Sequence, residues 1–175
     1  MTKITISGTP GSGKTTIAEL LEKKLDLKYI YSGQIFRKLA KEHKMSLEEF
    51  GSYCEKNPKV DQKLDEKQVE ILKTNDDIIL EGRLAGWLAK NNNISAVKIF
   101  LDADINIRTK RIIKRENGDF EKRKKEIIKR EKSEKTRYKN YYNIDLDDIS
   151  IYDIVLITDD ENAQDLLNII LSKLK

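Results

Sequence analysis

Apolar and polar positions along this chain alternate or recur in patterns that predict short strands and amphipathic helices. Near the start, the segment KITIS predicts a strand, and Ile17, Leu20, Leu21 and Leu25 then recur at the spacing of one helix face. Strands are predicted over residues 3–7, 27–32, 76–82, 96–103 and 152–158. Helices are predicted over residues 15–25, 33–43, 46–57, 60–74, 104–140 and 162–175, the charged stretch 104–140 forming one or two helices.

The order of these elements predicts an α/β fold. Strands that alternate with helices are typical of a parallel sheet with helices on both faces, here a sheet of five strands. The 175 residues match the usual size of one domain, so residues 1–175 are predicted to form a single unit. Within it, Asn57-Pro58 separates two helices and Asn117-Gly118 interrupts the charged stretch.

Composition narrows the classes of function. The chain contains 34 Lys and Arg against 30 Asp and Glu, a net charge of +4 that suits phosphate-bearing ligands without requiring a polynucleotide. The single histidine, His43, lies in a polar helix, which excludes Ser-His-Asp chemistry and makes a surface position the expectation. Catalysis that needs no histidine is therefore expected.

Cysteine content and hydropathy indicate the compartment. The single cysteine, Cys54, forms no internal disulfide and supplies no multi-cysteine zinc site, so we expect it to be a small buried or half-buried side chain. No apolar run reaches the ~20 residues that a bilayer requires, and no signal-peptide core precedes the first strand. A cytoplasmic protein without membrane contact is expected.

A glycine-rich loop lies between the first strand and the first helix. The residues GTPGSGKT fit G-x-x-x-x-G-K-[ST] in the structural context that this motif requires. The glycines let backbone N–H groups turn around an anion, Lys14 adds a full charge and the Thr15 hydroxyl is a magnesium ligand. The predicted nucleoside triphosphate site consists of Gly8, Thr9, Pro10, Gly11, Ser12, Gly13, Lys14, Thr15 and Thr16.

Two arginines follow the next two predicted strands. Arg37 in YSGQIFR and Arg83 in ILEGRLAGW each lie past the carboxyl end of a strand, where ligands bind in open parallel sheets. Two arginines facing one crevice predict a second phosphate site. Glu81, at the end of an apolar strand, is placed like the acidic residue that holds magnesium through water in phosphate-loop proteins.

The segments SGQIFRKLA, EGRLAGW and REKSEKTRY resemble those of nucleoside monophosphate kinases, and most closely the archaeal type of cytidylate kinase. The resemblance implies a P-loop nucleoside triphosphate hydrolase fold with a helical monophosphate-binding region over 33–75 and a helical lid over 116–142. It also implies transfer of the γ-phosphoryl group of ATP to CMP or dCMP, with Mg²⁺, in pyrimidine nucleotide metabolism. We expect a monomer that binds these small molecules and no nucleic acid.

The lid stretch carries the remaining catalytic candidates. Arg123, Arg130 and Arg137 recur every seven residues and share one helix face. The set Arg130, Glu134 and Arg137 is similar to the Arg, Asp, Arg lid signature of the family. Arg130 and Arg137 are therefore expected to join Lys14 in neutralising the transferring phosphoryl group, with Glu134 orienting the arginines.

The nucleoside-binding residues are predicted from neighbouring helices. Arg108, Arg111 and Arg115 share a face, and Arg111 resembles the residue that stacks on the adenine of ATP. A carboxylate is the expected reader of the cytosine amine, for which Asp61 is the candidate and Asp65, one helical turn later, the alternative.

Other functions stay open from sequence alone. An adenylate- or shikimate-type kinase shares the phosphate loop, but Glu-Gly-Arg stands where adenylate kinases usually have Asp-Gly-Phe-Pro-Arg. A non-catalytic nucleotide switch is disfavoured because the chain has no guanine-reading Asn-Lys-x-Asp motif. A nucleic-acid-binding module over residues 108–139 is disfavoured because interleaved glutamates dilute the positive charge.

Overall fold

A computed structural model describes residues 2–160 and 162–174 of the chain. Its strands form one fully parallel sheet with the spatial order β2-β3-β1-β4-β5, which confirms the predicted α/β class. The strands are β1 (Lys3–Gly8), β2 (Lys28–Tyr31), β3 (Ile78–Glu81), β4 (Val97–Asp102) and β5 (Ile154–Ile157).

Helices occupy most of the predicted positions and one that was not predicted. They are α1 (Lys14–Leu25), α2 (Ser32–Glu42), α3 (Leu47–Lys56), α4 (Pro58–Thr74), α5 (Ala85–Asn91), α6 (Ile105–Glu116), α7 (Phe120–Tyr142) and α8 (Ala163–Lys173). The helix missing from the prediction is α5. It is short and its residues 85–89 are all buried, so it has no polar face to produce a helical period.

The core lies on both faces of the sheet. On one face, α1 and α8 cover Ile4, Ile6, Ile99 and Leu101 of the central strands. On the other face, α4 and α5 cover β3, with Leu72 and Leu80 in the same apolar cluster. Because strands buried on both faces read as continuous apolar runs, the sequence pattern and the layer arrangement agree.

Local sequence features fix where the helices begin and end. Ser46 and Glu49 form a reciprocal capping box at the start of α3, and Pro58 occupies the first turn of α4. Between α6 and α7 the backbone is left-handed, with φ of 59° at Asn117 and 121° at Gly118. The predicted interruption is confirmed, and the charged stretch forms two helices.

The long helix α7 packs against α3, which places the lid stretch beside the monophosphate-binding stretch. A Cβ at Gly51 would lie 3.2 Å from Ser133 Oγ, so glycine permits the close approach of the two helices. Tyr141 donates a hydrogen bond to the carbonyl of Cys54, whose side chain is fully buried, as predicted. His43 is exposed, also as predicted. Among the described residues, no helix is long and apolar enough to cross a membrane.

Candidate active site

A cleft of about 440 Å³ opens at the carboxyl ends of the strands, between the loop after β1, the turn after β3 and helices α2, α4, α6 and α7. Most of the predicted site residues line this cleft. They are Pro10, Gly11, Ser12, Gly13, Lys14, Thr15, Thr16, Arg37, Asp61, Glu81, Arg83, Arg111, Arg130 and Arg137.

Gly8 and Thr9 do not line the cleft but anchor the phosphate loop. A Cβ at Gly8 would lie 2.0 Å from the carbonyl oxygen of Leu101, so only glycine fits beside β4 at this point. The Thr9 hydroxyl donates to Asp102 Oδ1 at 2.6 Å. On the far side, the Thr158 hydroxyl donates to the Ser12 carbonyl at 3.0 Å, so the loop is held at both ends.

Lys14 lies at the start of α1 with its ammonium directed back to the loop. Nζ donates to the Thr9 carbonyl at 2.6 Å. Burial and the neighbouring Arg83 together lower the pKa of Lys14 to about 7. A triphosphate in this loop supplies the negative charge that would restore the ammonium form.

Thr15 and Glu81 form the oxygen pair expected for a magnesium site. The Thr15 hydroxyl donates to Glu81 Oε1 at 3.1 Å, and the Tyr29 hydroxyl donates to Glu81 Oε2. The described residues contain no cluster of three or more acidic, histidine or cysteine ligands. Since Mg²⁺ in phosphate-transfer sites takes few protein ligands and completes its shell with phosphates and water, this pair fits the ion.

Glu134 joins two arginines on opposite walls of the cleft. Its carboxylate accepts from Arg83 Nε at 2.5 Å and from Arg130 Nε at 2.9 Å. Burial alone opposes ionisation, but the charges of Arg83, Arg130 and Arg137 outweigh it and lower the pKa of Glu134 to about 2. Arg83 also donates to the Gly8 carbonyl, which brings this cluster next to the phosphate loop.

Arg137 is near this cluster but pairs with a different carboxylate, between α4 and α7. Its guanidinium pairs with Asp61 at 2.5 Å, and both side chains are 3% exposed. The rings of Phe36 and Tyr138 each lie 5.4 Å from the guanidinium carbon. Asp61, the sequence candidate for base reading, is therefore paired with Arg137.

The remaining arginines have distinct surroundings. Arg37, which lines the cleft, pairs with Glu116 at the end of α6 at 3.5 Å. Arg111 donates to the hydroxyl of Thr158 at 2.8 Å and also to its carbonyl. Arg115 lines the cleft beside Arg111.

Two arginines that share faces with predicted site residues point elsewhere. Arg108 is buried, donates to the Pro10 carbonyl at 3.2 Å and pairs with Glu131 at 2.8 Å. Arg123 pairs with Glu126 at the outer end of α7. Helical spacing alone therefore does not determine which arginines of a shared face reach the cleft.

Sequence reasoning missed several residues that shape the cleft. Tyr29 lies in β2 and its hydroxyl supports Glu81, whereas Thr158 directly follows β5 and its hydroxyl supports the phosphate loop. Gln68 of α4 lines the cleft beside Asp65. The available signal was their position near the carboxyl ends of strands or one turn from a predicted carboxylate.

A family model described as the cytidylate kinase-like family matches residues 3–160. The chain belongs to the cytidylate kinase-like family. A cytidylate kinase of Methanosarcina barkeri is 46% identical over 169 residues, which cover 96% of this chain and 93% of that protein. A cytidylate kinase of Methanocaldococcus jannaschii is 45% identical over 97% of this chain and 95% of its own length. The resemblance to the archaeal type of cytidylate kinase is thereby confirmed.

Solved structures confirm the fold of this cytidylate kinase-like chain. A shikimate kinase from Bacteroides thetaiotaomicron superposes with a TM-score of 0.61 at 13% identity and covers 99% of this chain and 98% of its own. A gluconokinase from Sinorhizobium meliloti gives a TM-score of 0.67 at 11% identity, covering 99% and 91%. At such identities the likeness concerns the P-loop kinase fold alone.

Proposed function

We propose that this chain transfers the γ-phosphoryl group of ATP to CMP or dCMP, giving ADP and CDP or dCDP. One observation carries the proposal. A single cleft contains the phosphate loop with Lys14 and also Arg83 and Arg130, the two arginines that Glu134 joins. The family and the names of its relatives direct the acceptor to a cytidine nucleotide.

The donor side is assigned to the phosphate loop and α6. Backbone N–H groups of the loop and the start of α1 surround the phosphates, and Lys14 contacts the outer ones. Arg111 stacks on the adenine, and its hydrogen bonds to Thr158 keep the guanidinium at the rim of the loop. Thr15 and Glu81 would hold Mg²⁺, which would supply charge neutralisation at the outer phosphates.

The acceptor side is assigned to α2, α4 and the turn after β3. Arg37 and Arg83 bind the acceptor phosphate, and the Arg37–Glu116 pair opens to admit it. Asp61 lies beside the acceptor base with Arg137. The regions 33–75 and 116–142, which pack together through α3 and α7, flank the two nucleotides.

Transfer itself requires positioning and charge neutralisation. An oxygen of the acceptor phosphate attacks the γ-phosphorus, and the bond from that phosphorus to the oxygen it shares with the β-phosphate breaks, leaving ADP with the electron pair. The attacking oxygen is already ionised, so no general base is needed. Lys14, Arg83 and Arg130 neutralise the charge that develops on the transferring group.

The direct test is a coupled assay of ADP formation against a panel of acceptors: CMP, dCMP, UMP, AMP and shikimate. We expect kcat/KM to be highest with CMP or dCMP. The matched control is Lys14→Met, which should lose nearly all turnover while retaining its circular dichroism spectrum. Preference for AMP or shikimate, or no turnover of any acceptor, would reject the proposal.

The further expectation of a cytoplasmic monomer is tested by sedimentation of the purified chain and by cell fractionation.

A further inference from the structure

Gln68 is a buried amide in the acceptor wall of the cleft with half of its hydrogen-bonding capacity unused. Its side chain lies in α4 and the residue is 7% exposed. Nε2 donates to Asp65 Oδ1 at 3.1 Å and to the Leu64 carbonyl at 3.4 Å. Within the part of the chain that the structure describes, Oε1 has no donor. A buried acceptor without a donor is costly, and a donor from a bound ligand would remove that cost.

Hydrogen bonds that run from Tyr142 through Asp65 fix the orientation of this amide. Asp65 Oδ2 accepts from the Tyr142 hydroxyl at 2.9 Å, which leaves Oδ1 to face Gln68. An ionised carboxylate only accepts hydrogen bonds, so the amide nitrogen of Gln68 faces Asp65 and the amide oxygen faces away. Burial, with Asp61 nearby, raises the pKa of Asp65 to about 7, so the carboxylate is ionised in mildly alkaline solution.

The turn after β3 packs closely against the amide oxygen at the edge of the cleft. A Cβ at Gly82 would lie 2.9 Å from Gln68 Oε1 and 2.3 Å from Ser32 Oγ, so a larger residue would collide with both side chains in this corner of the cleft. The Ser32 hydroxyl does not satisfy the amide oxygen, because it donates to the Glu81 carbonyl at 2.8 Å. The corner therefore presents an acceptor in a wall of the cleft.

We infer that Gln68 selects acceptor bases that carry an exocyclic amino group, and that Asp65 and Tyr142 are positioning residues that hold its amide oxygen toward the base. The inference rests on the proposed function. Cytosine offers an N–H donor from its 4-amino group, whereas uracil has a carbonyl acceptor at the same position. With uracil, its 4-carbonyl oxygen and the Gln68 amide oxygen are both acceptors, so neither is hydrogen-bonded. Sites that hydrogen-bond one substrate group discriminate strongly against an analogue that lacks it.

The first test compares CMP and UMP as acceptors for Gln68→Met at saturating ATP and about pH 8. Methionine keeps the length of the side chain but removes the acceptor. We expect kcat/KM for CMP to fall by about tenfold or more while kcat/KM for UMP changes little, so the CMP:UMP ratio falls. The matched control is Gln62→Met, the same substitution on the same helix outside the cleft, which should leave the ratio unchanged.

The second test is Asp65→Asn, which separates positioning from support of the fold. An asparagine at 65 is able to donate to Gln68 Oε1, so the amide turns and presents its nitrogen to the base. We expect kcat/KM for CMP to fall and that for UMP to rise, whereas a purely structural defect lowers both together. Tyr142→Phe should relax the ratio in the same direction by a smaller factor.

The outcomes separate this inference from the proposed function. If the native chain phosphorylates CMP but the ratio is unchanged in both Gln68→Met and Asp65→Asn, or both acceptors lose activity equally, the role of Gln68 is rejected and the function stands. If the native chain phosphorylates neither CMP nor UMP, the proposed function fails first. Should Gln68→Met not fold, as judged by circular dichroism, Asp65→Asn alone decides the question.

Discussion

Burial and the charge of Arg83 lower the pKa of Lys14 to about 7, from 10.5 for an ordinary lysine. A bound triphosphate reverses that balance and raises the pKa again. Between the two pKa values the free protein lacks a proton that the complex holds. Binding of ATP at about pH 8.5 should therefore take up about one proton, and uptake through Lys14 should vanish below about pH 6.

Calorimetry of ATP binding in buffers of different ionisation enthalpy measures this uptake directly. The matched variant is Lys14→Arg, which keeps the positive charge but does not titrate in this range. It should bind ATP without proton uptake at either pH. Equal uptake by the native chain and the arginine variant would contradict the assignment to Lys14.

Tyr29 is a single residue that supports the proposed magnesium site through Glu81. Its hydroxyl donates to Glu81 and leaves the other carboxylate oxygen facing Thr15. Outer partners of this kind orient a metal-binding carboxylate, and their loss typically weakens metal affinity by about 10- to 100-fold. Tyr29→Phe should raise the Mg²⁺ concentration needed for half-maximal activity while KM for CMP changes little. Tyr31→Phe, on the same strand, is the control, and an equal Mg²⁺ shift in both variants would count against this role.

At the scale of elements, α7 is the helix on which both sides of the cleft depend. Glu134 and Arg130 face the turn after β3, whereas Arg137, two turns from Arg130, faces α4. The two arginines that the motif grouped together therefore have different surroundings. We expect different consequences when each is removed.

Arg130 is partly exposed beside the phosphate loop and is free to contact the transferring group in the reacting complex. Arg130→Ala should lower kcat with little change in either KM, because the contact strengthens in the transition state. Arg130→Lys should recover little, since lysine cannot bridge two phosphate oxygens. Lys132→Ala is the control, an exposed cation on the same helix. Comparable loss of kcat in the control would contradict the role of Arg130.

Arg137 contributes to the stability of the fold as well as to the site. Its removal leaves Asp61 buried without a counter-charge, which typically costs about 3 to 5 kcal/mol. Arg137→Met should lower the free energy of unfolding by that order, and Asp61→Asn in the same chain should restore part of the loss. Urea unfolding of both single variants and the double variant measures the coupling. Strict additivity of the two changes would show that the pair is not coupled.

At the scale of the whole molecule, the parallel sheet collects both substrate sites at one edge. The order β2-β3-β1-β4-β5 puts the loop after β1 between the turn after β3 and the end of β4. A single continuous cleft results, lined by the phosphate loop, α4 and α7. One ligand that spans both sites should therefore bind as a unit.

A bisubstrate compound that joins adenosine to cytidine through five phosphates tests this continuity. It should raise the melting temperature more than ATP and CMP do together at the same concentrations, because one association replaces two. Diadenosine pentaphosphate is the control, with an adenine in the acceptor position. A shift no greater than that of ATP alone would mean that the two sites are not continuous.

The sequence predicted most of the architecture because its signals are local. Strand runs, the phosphate loop and the break at Asn117-Gly118 depend on residues close together in the chain, and all three match the structure. Helix α5 was not predicted because residues 85–89 are all buried, which removes the alternation of apolar and polar positions with a helical period. Gln68 was not predicted because its place one turn from Asp65 is a weak signal, and only the packing of α4 shows that its amide is buried in the cleft wall.

Only the tertiary structure decided which charges meet. The sequence placed Arg83, Arg130, Arg137 and Asp61 as separate candidates, and helical spacing suggested that the two lid arginines act together. In the folded chain Glu134 pairs with Arg83 and Asp61 pairs with Arg137. The partners are separated by 51 and 76 positions along the chain. Spacing along one helix specifies a direction around its axis, but a partner on another element depends on how the helices dock against the sheet, which is set by the packing of the whole core.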